Sequence, residues 1–131
     1  MTSAAAPRAP ELFALCRTLL GADDWATAFW WGRAAAVLGR QAVELSLQEF
    51  WKSREPSMME SSARGQFLAL RLYLDERLAA EGHATWSLLS RACHHHPYDL
   101  QPSRDEILAW IVAAERFHAV LQAAGHDFRP A

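Results

Sequence analysis

Lysine and cysteine are both scarce in this sequence. Lys52 is the one lysine, so arginine carries nearly all of the positive charge. That bias suits phosphate binding and buried ion pairs, or it simply reflects genome composition. Cys16 and Cys93 are isolated and form no Cys-x-x-Cys pair, so the sequence indicates neither a disulfide framework nor a zinc knuckle. We expect both to be packed thiols in a reducing compartment.

Long apolar runs and a strong net charge are also missing. No stretch approaches the roughly 20 apolar residues that a membrane span needs, so we expect no membrane partner. The net charge of -2 supplies no global basic field, and we predict no DNA partner. Residues 1–10 are small and polar without an apolar core, which predicts a disordered tail rather than a signal peptide. The expected location is the cytoplasm.

What remains is the composition of an ordinary globular domain. The chain has 131 residues, of which 51% are hydrophobic and 21% are charged, enough for one hydrophobic core over residues 11–131. No segment alternates apolar and polar residues convincingly, so we predict no strands. Short connections between helical segments favour antiparallel neighbours. The sequence therefore predicts an all-α fold, an up-and-down bundle of four to five helices.

Capping residues, glycines and prolines mark the expected ends of these helices. The second helix carries Gly32 and Gly39 beside its apolar stripe, which indicates either close approach of a neighbouring helix or a kink. The predicted helices are about Glu11 to Leu20, Asp23 or Asp24 to Arg54, Ser57 to Gly82 with a capping box Ser57–Glu60, Ala84 to His95, and Ser103 to Gly125 with a capping box Ser103–Glu106.

Apolar residues at helical spacing predict which faces are buried. His118 lies on the stripe of the last helix, so we interpret it as a core or interface histidine. Trp30 and Trp31 cannot both face one core, so one of them marks a dimer or partner surface. The predicted inward residues are Trp25, Phe29, Ala36, Val43 and Phe50 in the second helix, Trp86, Leu89 and Cys93 in the fourth, and Ile107, Ile111, Ala114, His118 and Leu121 in the last.

Only the stretch Ser90–Asp99 is dense in reactive side chains. His94, His95 and His96 are consecutive, and successive helical residues point about 100° apart, so they cannot converge on one ion. We therefore predict no metal site and no cofactor. Cys93 is adjacent to these histidines, but it shares the apolar stripe of Leu89 and is interpreted as a packed thiol rather than a nucleophile.

Arg91, His96 and Tyr98 form the pattern Arg-x-x-x-x-His-x-Tyr. This pattern resembles the signature of HEPN domains, a family of small all-α ribonucleases, and in particular its HepT-like toxin branch. The resemblance implies a homodimer in which two copies of the motif form one composite, metal-independent site that cuts RNA. His96 would assist proton transfer as a ribose 2′-hydroxyl attacks the adjacent phosphodiester, while Arg91 would stabilise the charge on the phosphorane.

The same resemblance implies a way to control the site. Tyr98 would be an accessory residue that a partner nucleotidyltransferase, the cognate antitoxin, modifies with AMP, and the added charge and bulk would block RNA. His94, His95 and Asp99 would be neighbours of the site. The chain would then be the toxin of a toxin–antitoxin pair.

Structural roles remain open for each of these residues. Arg91 could form an ion pair with Asp99 or Glu106, and its charge could interact favourably with the dipole at the helix C-terminus. His96 could form a hydrogen bond with the backbone at the helix end, and Tyr98 could fill the core. Ala92 stands where the family often has a polar residue. The alternative function is therefore a non-catalytic helical bundle that binds a protein partner through tryptophan-rich surface.

Overall fold

The computed structural model describes residues 5–21, 28–94 and 100–127, and in these ranges the chain contains α-helices and no strand. The predicted all-α class and bundle are confirmed. The elements in chain order are α1 (Ala9–Leu20), α2 (Ala28–Arg54), a 3-10 turn (Pro56–Glu60), α3 (Ala63–Leu70), α4 (Glu76–Cys93) and α5 (Arg104–Asp127).

The N-terminal helix starts two residues earlier than predicted. Ala9 is fully buried and Pro10 occupies the first turn, where a missing N–H leaves no helical hydrogen bond unmade. Residues 5–8 are exposed and carry no regular structure, whereas residues 1–4 of the predicted tail lie outside the described residues.

The neighbouring pair α1 and α2 runs antiparallel. Arg8, which immediately precedes α1, pairs with Glu49 near the end of α2, with Nε and Oε1 3.5 Å apart. Cys16, near the end of α1, donates its S–H to the carbonyl oxygen of Ala35 earlier on α2, at 3.4 Å. The chain therefore turns back on itself between these helices, as the bundle prediction requires.

The pair α2 and α5 runs parallel and in close contact at the two predicted glycines. A Cβ atom on Gly32 would lie 3.1 Å from Cδ1 of Ile107, and one on Gly39 would lie 2.5 Å from Cδ1 of Ile111. Real Cβ contacts are longer than the second distance, so a side chain at position 39 would push the helices apart. The close-approach interpretation of the two glycines is confirmed, and α2 continues unbroken through both.

α4 runs antiparallel to α2 and α5 and packs against both of them. Leu89 lies beside Gly39, and the indole N–H of Trp86 donates to Oε1 of Glu44 at 3.2 Å. α1, α2, α4 and α5 therefore alternate in direction. This arrangement brings the end of α1, the start of α2, the end of α4 and the start of α5 to one end of the bundle.

The core lies between these four helices and is closed by α3. Most of the predicted inward residues are buried, although Trp86 is only partly so. Trp25 and the side chain of Phe29 lie outside the described residues, as does that of Trp30. The largest fully buried side chains are those of Trp51, Leu47, Leu70, Leu89, Ile111, Val43 and Cys16.

The predicted third helix, Ser57 to Gly82, is wrong. Instead of capping a helix, the hydroxyl of Ser57 donates to the Glu55 carboxylate at 2.6 Å. The Ser62 hydroxyl accepts the backbone N–H of Gly65 in the first turn of α3, and Asp75 caps α4 after a turn over residues 71–74. Ser62 and Asp75 accept hydrogen bonds from backbone N–H groups at the starts of α3 and α4. Such side-chain bonds stabilise the start of a new helix in place of one continuous helix.

Of the three glycines that were predicted to end helices, Gly21 caps α1 as predicted, whereas Gly82 and Gly125 lie inside helices. Gly82 is buried in α4, where the ring of Phe117 from α5 lies against its backbone. Gly125 lies in α5, which continues through Asp127. At Gly82 the absence of a side chain serves helix packing rather than a helix C-cap, and the predicted fourth-helix start at Ala84 is therefore also wrong.

We expect Gly82→Ala to destabilise the protein. The new methyl would overlap the Phe117 ring, and overpacking of this kind costs about 1–3 kcal/mol, more than the helix propensity of roughly 1 kcal/mol that alanine adds. Gly125→Ala is the matched control, because its methyl would meet only Arg54 atoms 3.9 Å away. Urea unfolding of both variants checks this, and a Gly82→Ala variant as stable as the Gly125→Ala control would contradict it.

Candidate functional site

The last turn of α4 presents Arg91 and His94 to solvent. Ala92 and Cys93 between them are only 8% and 7% exposed and pack into the core. Because successive helical residues point about 100° apart, burying positions 92 and 93 turns positions 91 and 94 outward. His94 ends the helix, and its backbone N–H donates to the Arg91 carbonyl oxygen at 3.2 Å.

Four of the predicted site residues lie outside the described residues: His95, His96, Tyr98 and Asp99. The roles of His96 in proton transfer and of Tyr98 as a modification site therefore stay predictions. Of the predicted site, the structure places Arg91 and His94 together, both exposed, at the end of α4.

The Arg91 guanidinium makes no hydrogen bond or ion pair with any residue of 5–21, 28–94 or 100–127. Glu106, one of its two predicted alternative partners, is used elsewhere. Its Oε1 accepts the Ser103 N–H, and its own N–H donates to Ser103 Oγ, both at 3.1 Å. This reciprocal pair confirms the predicted capping box of the last helix.

The charges of two arginines of α2 affect the pKa of Cys93 in the last turn of α4. Burial raises the pKa of the Cys93 thiol, and the charges of Arg40 and Arg33 partly oppose that shift. The thiol therefore favours its neutral form, as expected of a packed cysteine. Arg33 is exposed and has no ion-pair partner in the described part of the chain, whereas Arg40 pairs with Glu44 at 3.3 Å. Among the described residues, Arg91 and Arg33 thus bring positive charge to the end of α4, whereas the charge of Arg40 is offset by Glu44.

The described ranges contain no group of three or more His, Cys, Asp or Glu side chains placed to hold a metal ion. They contain one helix, Arg104–Gly125 of α5, that is long and apolar enough to cross a membrane. This is weak support for a span, because the core helix of a bundle has the same length and composition.

A second polar cluster lies far along α2 and α5, around His118. The Ser46 hydroxyl donates to the Ala42 carbonyl oxygen at 2.8 Å, so the Nδ1–H of His118, 2.7 Å from Ser46 Oγ, is the donor of that pair. Nε2 of His118 is buried and has no partner among the residues that the structure describes. The predicted core position of His118 is therefore correct, with one ring nitrogen left unbonded.

In the part of the chain that the structure describes, this cluster borders a cleft, and a second, larger cleft lies elsewhere. The smaller, of about 260 Å³, lies between α2 and α5 and is lined by His118, Ser46, Glu49 and Gln122 among others. The larger, of about 490 Å³, lies between α4 and α5 around Gly82 and Phe117. Sequence analysis identified neither cleft, because each combines residues from helices that are distant in sequence.

No family model, no curated protein and no solved structure matches this chain.

We expect stability to fall below about pH 6.5 because of His118. Burial lowers its pKa in the folded protein from the ordinary value of 6.5, with Glu49 opposing the shift and Arg8 adding to it. The unfolded chain then binds the proton more readily, so the contribution of His118 is complete above pH 6.5 and is lost as the pH falls towards the folded-state pKa.

The measurement is the difference in unfolding free energy between the native protein and His118→Gln from about pH 7.5 to about pH 5.5. We expect that difference to shrink by up to about 1.4 kcal/mol per pH unit. Contributions of the other histidines are common to both proteins and cancel in the difference. Parallel stability curves for the two proteins would contradict the assignment.

Proposed function

We propose that this chain is a HEPN-like, metal-independent endoribonuclease that acts as a homodimer in the cytoplasm, as the toxin of a toxin–antitoxin pair. The observation that supports it best is the state of Arg91. Its guanidinium is exposed at a helix end and has no carboxylate partner among the described residues, and the charges of Arg33 and Arg40 act on Cys93, two residues further along α4. Of its two predicted structural partners, Glu106 bonds to Ser103 at the start of α5, and Asp99 lies outside the described residues.

The local charge suits an RNA backbone. Guanidinium groups stay protonated at any physiological pH and bind phosphate oxygens through paired N–H donors. Arg91 would contact the scissile phosphate, while Arg33, exposed on α2, would contact a neighbouring one. Such contacts place the strand without reading its bases.

The proposed reaction needs one base and one acid. His96, five residues after Arg91 in the sequence, takes the proton from a ribose 2′-hydroxyl, whose oxygen forms a bond to the adjacent phosphorus. The bond from phosphorus to the 5′-oxygen breaks, and that oxygen takes a proton from the histidine of the second protomer. Arg91 stabilises the extra negative charge of the phosphorane in between. The products are a cyclic 2′,3′-phosphate and a free 5′-hydroxyl.

The proposed reaction determines which nucleic acid is cut, and the position of Tyr98 gives a way to inhibit it. The nucleophile belongs to the RNA itself, so the reaction requires no metal-bound water, and DNA, which lacks the 2′-hydroxyl, is not cut. Modification of Tyr98 with AMP by a cognate antitoxin would place negative charge where the RNA phosphate binds. The restriction to RNA follows from the 2′-hydroxyl chemistry, and the regulation through Tyr98 follows from the family resemblance.

A second candidate function is a non-catalytic module that binds a protein partner. Ala92 favours it, because this residue is buried at the position where the HEPN signature often has a polar side chain. A polar residue there would face the core of this bundle rather than a substrate. The two candidates differ in whether Arg91 and His96 matter for RNA cleavage.

The test is cleavage of single-stranded RNA by the native protein and by Arg91→Ala and His96→Ala, each with and without EDTA. Loss of one charge-stabilising group typically lowers the rate by about 10²–10³, and loss of a general acid–base group by about 10²–10⁴. We expect losses of that size and no effect of EDTA. Arg64→Ala, an exposed arginine on α3, is the matched control and should cleave normally.

Cleavage that is equal in all four proteins would mean that a contaminant or another site cuts the RNA, and the proposal would be abandoned. No cleavage by the native protein, whether alone or freed from a bound antitoxin, would leave the interaction module as the function.

A further inference from the structure

The arginines of the chain differ in whether their guanidinium groups have a partner. Most of those outside the group described here are held by a carboxylate, as Arg17 is by Glu115 at 2.6 Å. A guanidinium without a partner keeps its N–H donors available to a ligand. Within residues 5–21, 28–94 and 100–127, the exposed arginines whose guanidinium forms no hydrogen bond or ion pair are Arg33, Arg64, Arg91, Arg104 and Arg116.

Three of these unpaired guanidiniums lie at the end of the bundle that carries the candidate site. Arg91 is in the last turn of α4, Arg33 is in the second turn of α2, and Arg104 is the first residue of α5. The other two lie elsewhere, Arg64 on α3 and Arg116 in the middle of α5. The end of the bundle near Arg91 thus collects unpaired positive charge from three separate helices.

Arg91 and Arg33 are separated by about one helical turn along the bundle axis. Leu89 of α4 lies beside Gly39 of α2. Because α4 runs opposite to α2, Arg91, two residues after Leu89, lies level with a point on α2 four residues after Arg33. Four residues correspond to about 6 Å at 1.5 Å per residue. The charge of Arg33 also reaches the last turn of α4, where it lowers the pKa of the Cys93 thiol.

Arg104 lies about one helical turn from Arg33 in the other direction. Ile107 of α5 lies beside Gly32 of α2. Because α5 runs parallel to α2, Arg104, three residues before Ile107, lies level with a point on α2 four residues before Arg33. Arg104 also continues, at helical spacing, the stripe of Ile107 and Ile111 that faces α2. The positions of Arg91, Arg33 and Arg104 therefore follow one another in steps of about 6 Å along the axis.

We propose that Arg91, Arg33 and Arg104 bind neighbouring phosphates of one RNA strand, which makes Arg104 a substrate-binding residue. The inference rests on the proposed function, which places the scissile phosphate at Arg91. Guanidinium groups bind phosphate oxygens through paired N–H donors and keep their charge at any physiological pH. A nucleic acid strand repeats its phosphate at regular intervals, and a regularly stepped row of cations matches that repeat. Such contacts bind the strand whatever its base sequence.

The experiment measures binding of a short, fluorescein-labelled 2′-O-methyl RNA strand to the full chain. The strand lacks the nucleophilic 2′-hydroxyl and is therefore not cut. Fluorescence anisotropy at several salt concentrations gives the slope of log Kd against log salt concentration, which for a single strand is about 0.7 for every phosphate contact. We expect Arg104→Ala to lower that slope by at least about 0.7 and to weaken binding by about tenfold, as for a lost hydrogen bond to a charged group.

Matched variants separate the loss of this contact from other effects. Arg104→Lys keeps the charge and should keep the slope. Arg64→Ala removes an exposed guanidinium from α3 and should change neither the slope nor the affinity. In cleavage assays Arg104→Ala should raise KM and leave kcat unchanged, because its phosphate contact is the same in the ground state and the transition state. Circular dichroism of each variant confirms that it is folded.

The outcomes separate this inference from the proposed function. No binding of the strand, or a slope that Arg104→Ala leaves unchanged, would overturn the inference, and loss of cleavage in Arg91→Ala would still support the proposed function. Displacement of the strand by an equal concentration of polyglutamate would overturn it in favour of an acidic protein partner. Binding that depends on Arg104 as expected, by a protein that cuts no RNA, would support the binding row and remove only the proposed catalysis.

Discussion

The contact between α2 and α5 at Gly39 is the constraint on which the rest of the bundle depends. These helices run parallel, without a short connection to hold them together, and they meet because position 39 has no side chain in front of Ile111. Glycine inside a helix lowers helix stability by up to about 1 kcal/mol, and the close packing of the two backbones compensates for it. α1 and α4 then pack on either side of this pair.

The position of the candidate site follows from that arrangement. α4 is held on one side by Leu89 beside Gly39 and on the other by Phe117 against Gly82. With those two contacts fixed, Ala92 and Cys93 face inward, so that Arg91 and His94 face solvent. The same packing leaves the outer surfaces of α4 and α5 uncovered. One geometry thus accounts for the exposed guanidinium of Arg91 and for the exposed side chains of Glu81 and Arg116 on the outer surfaces of these helices.

Local patterns in the sequence were sufficient for the fold class and for the elements with one clear signal. The stripe from Ile107 to Leu121 and the capping box at Ser103 were predicted because each depends on residues within a few turns of helix. At Gly39 the sequence left close approach and a kink both open, because the contact is with Ile111 on another helix. The break between α3 and α4 was missed, because Ser57, Ser62 and Asp75 are all plausible caps and tertiary packing selects among them.

The site was predictable only in part, for a related reason. Arg91 was identified from a short motif, but the arginines of α2 that accompany it are distant in sequence and meet α4 only through folding. The same is true of Ser46, which bonds to His118 across the bundle. Gly82 was interpreted as a helix end, because the sequence does not distinguish a glycine that is needed for packing against Phe117 from one that caps a helix.

The central claim is that two copies of this chain meet with the ends of α4 together, so that both Arg91 side chains reach one site. Pulsed electron paramagnetic resonance on spin labels at Glu76→Cys, Ala80→Cys and His94→Cys, with Cys16 and Cys93 replaced by alanine, tests it most directly. This arrangement predicts that the distance between protomers at His94 is no longer than at the other two positions. A distance at His94 that exceeds the one at Glu76 by some 10–40 Å, at 1.5 Å per residue of helix, would show that the ends of α4 point apart and would contradict the account.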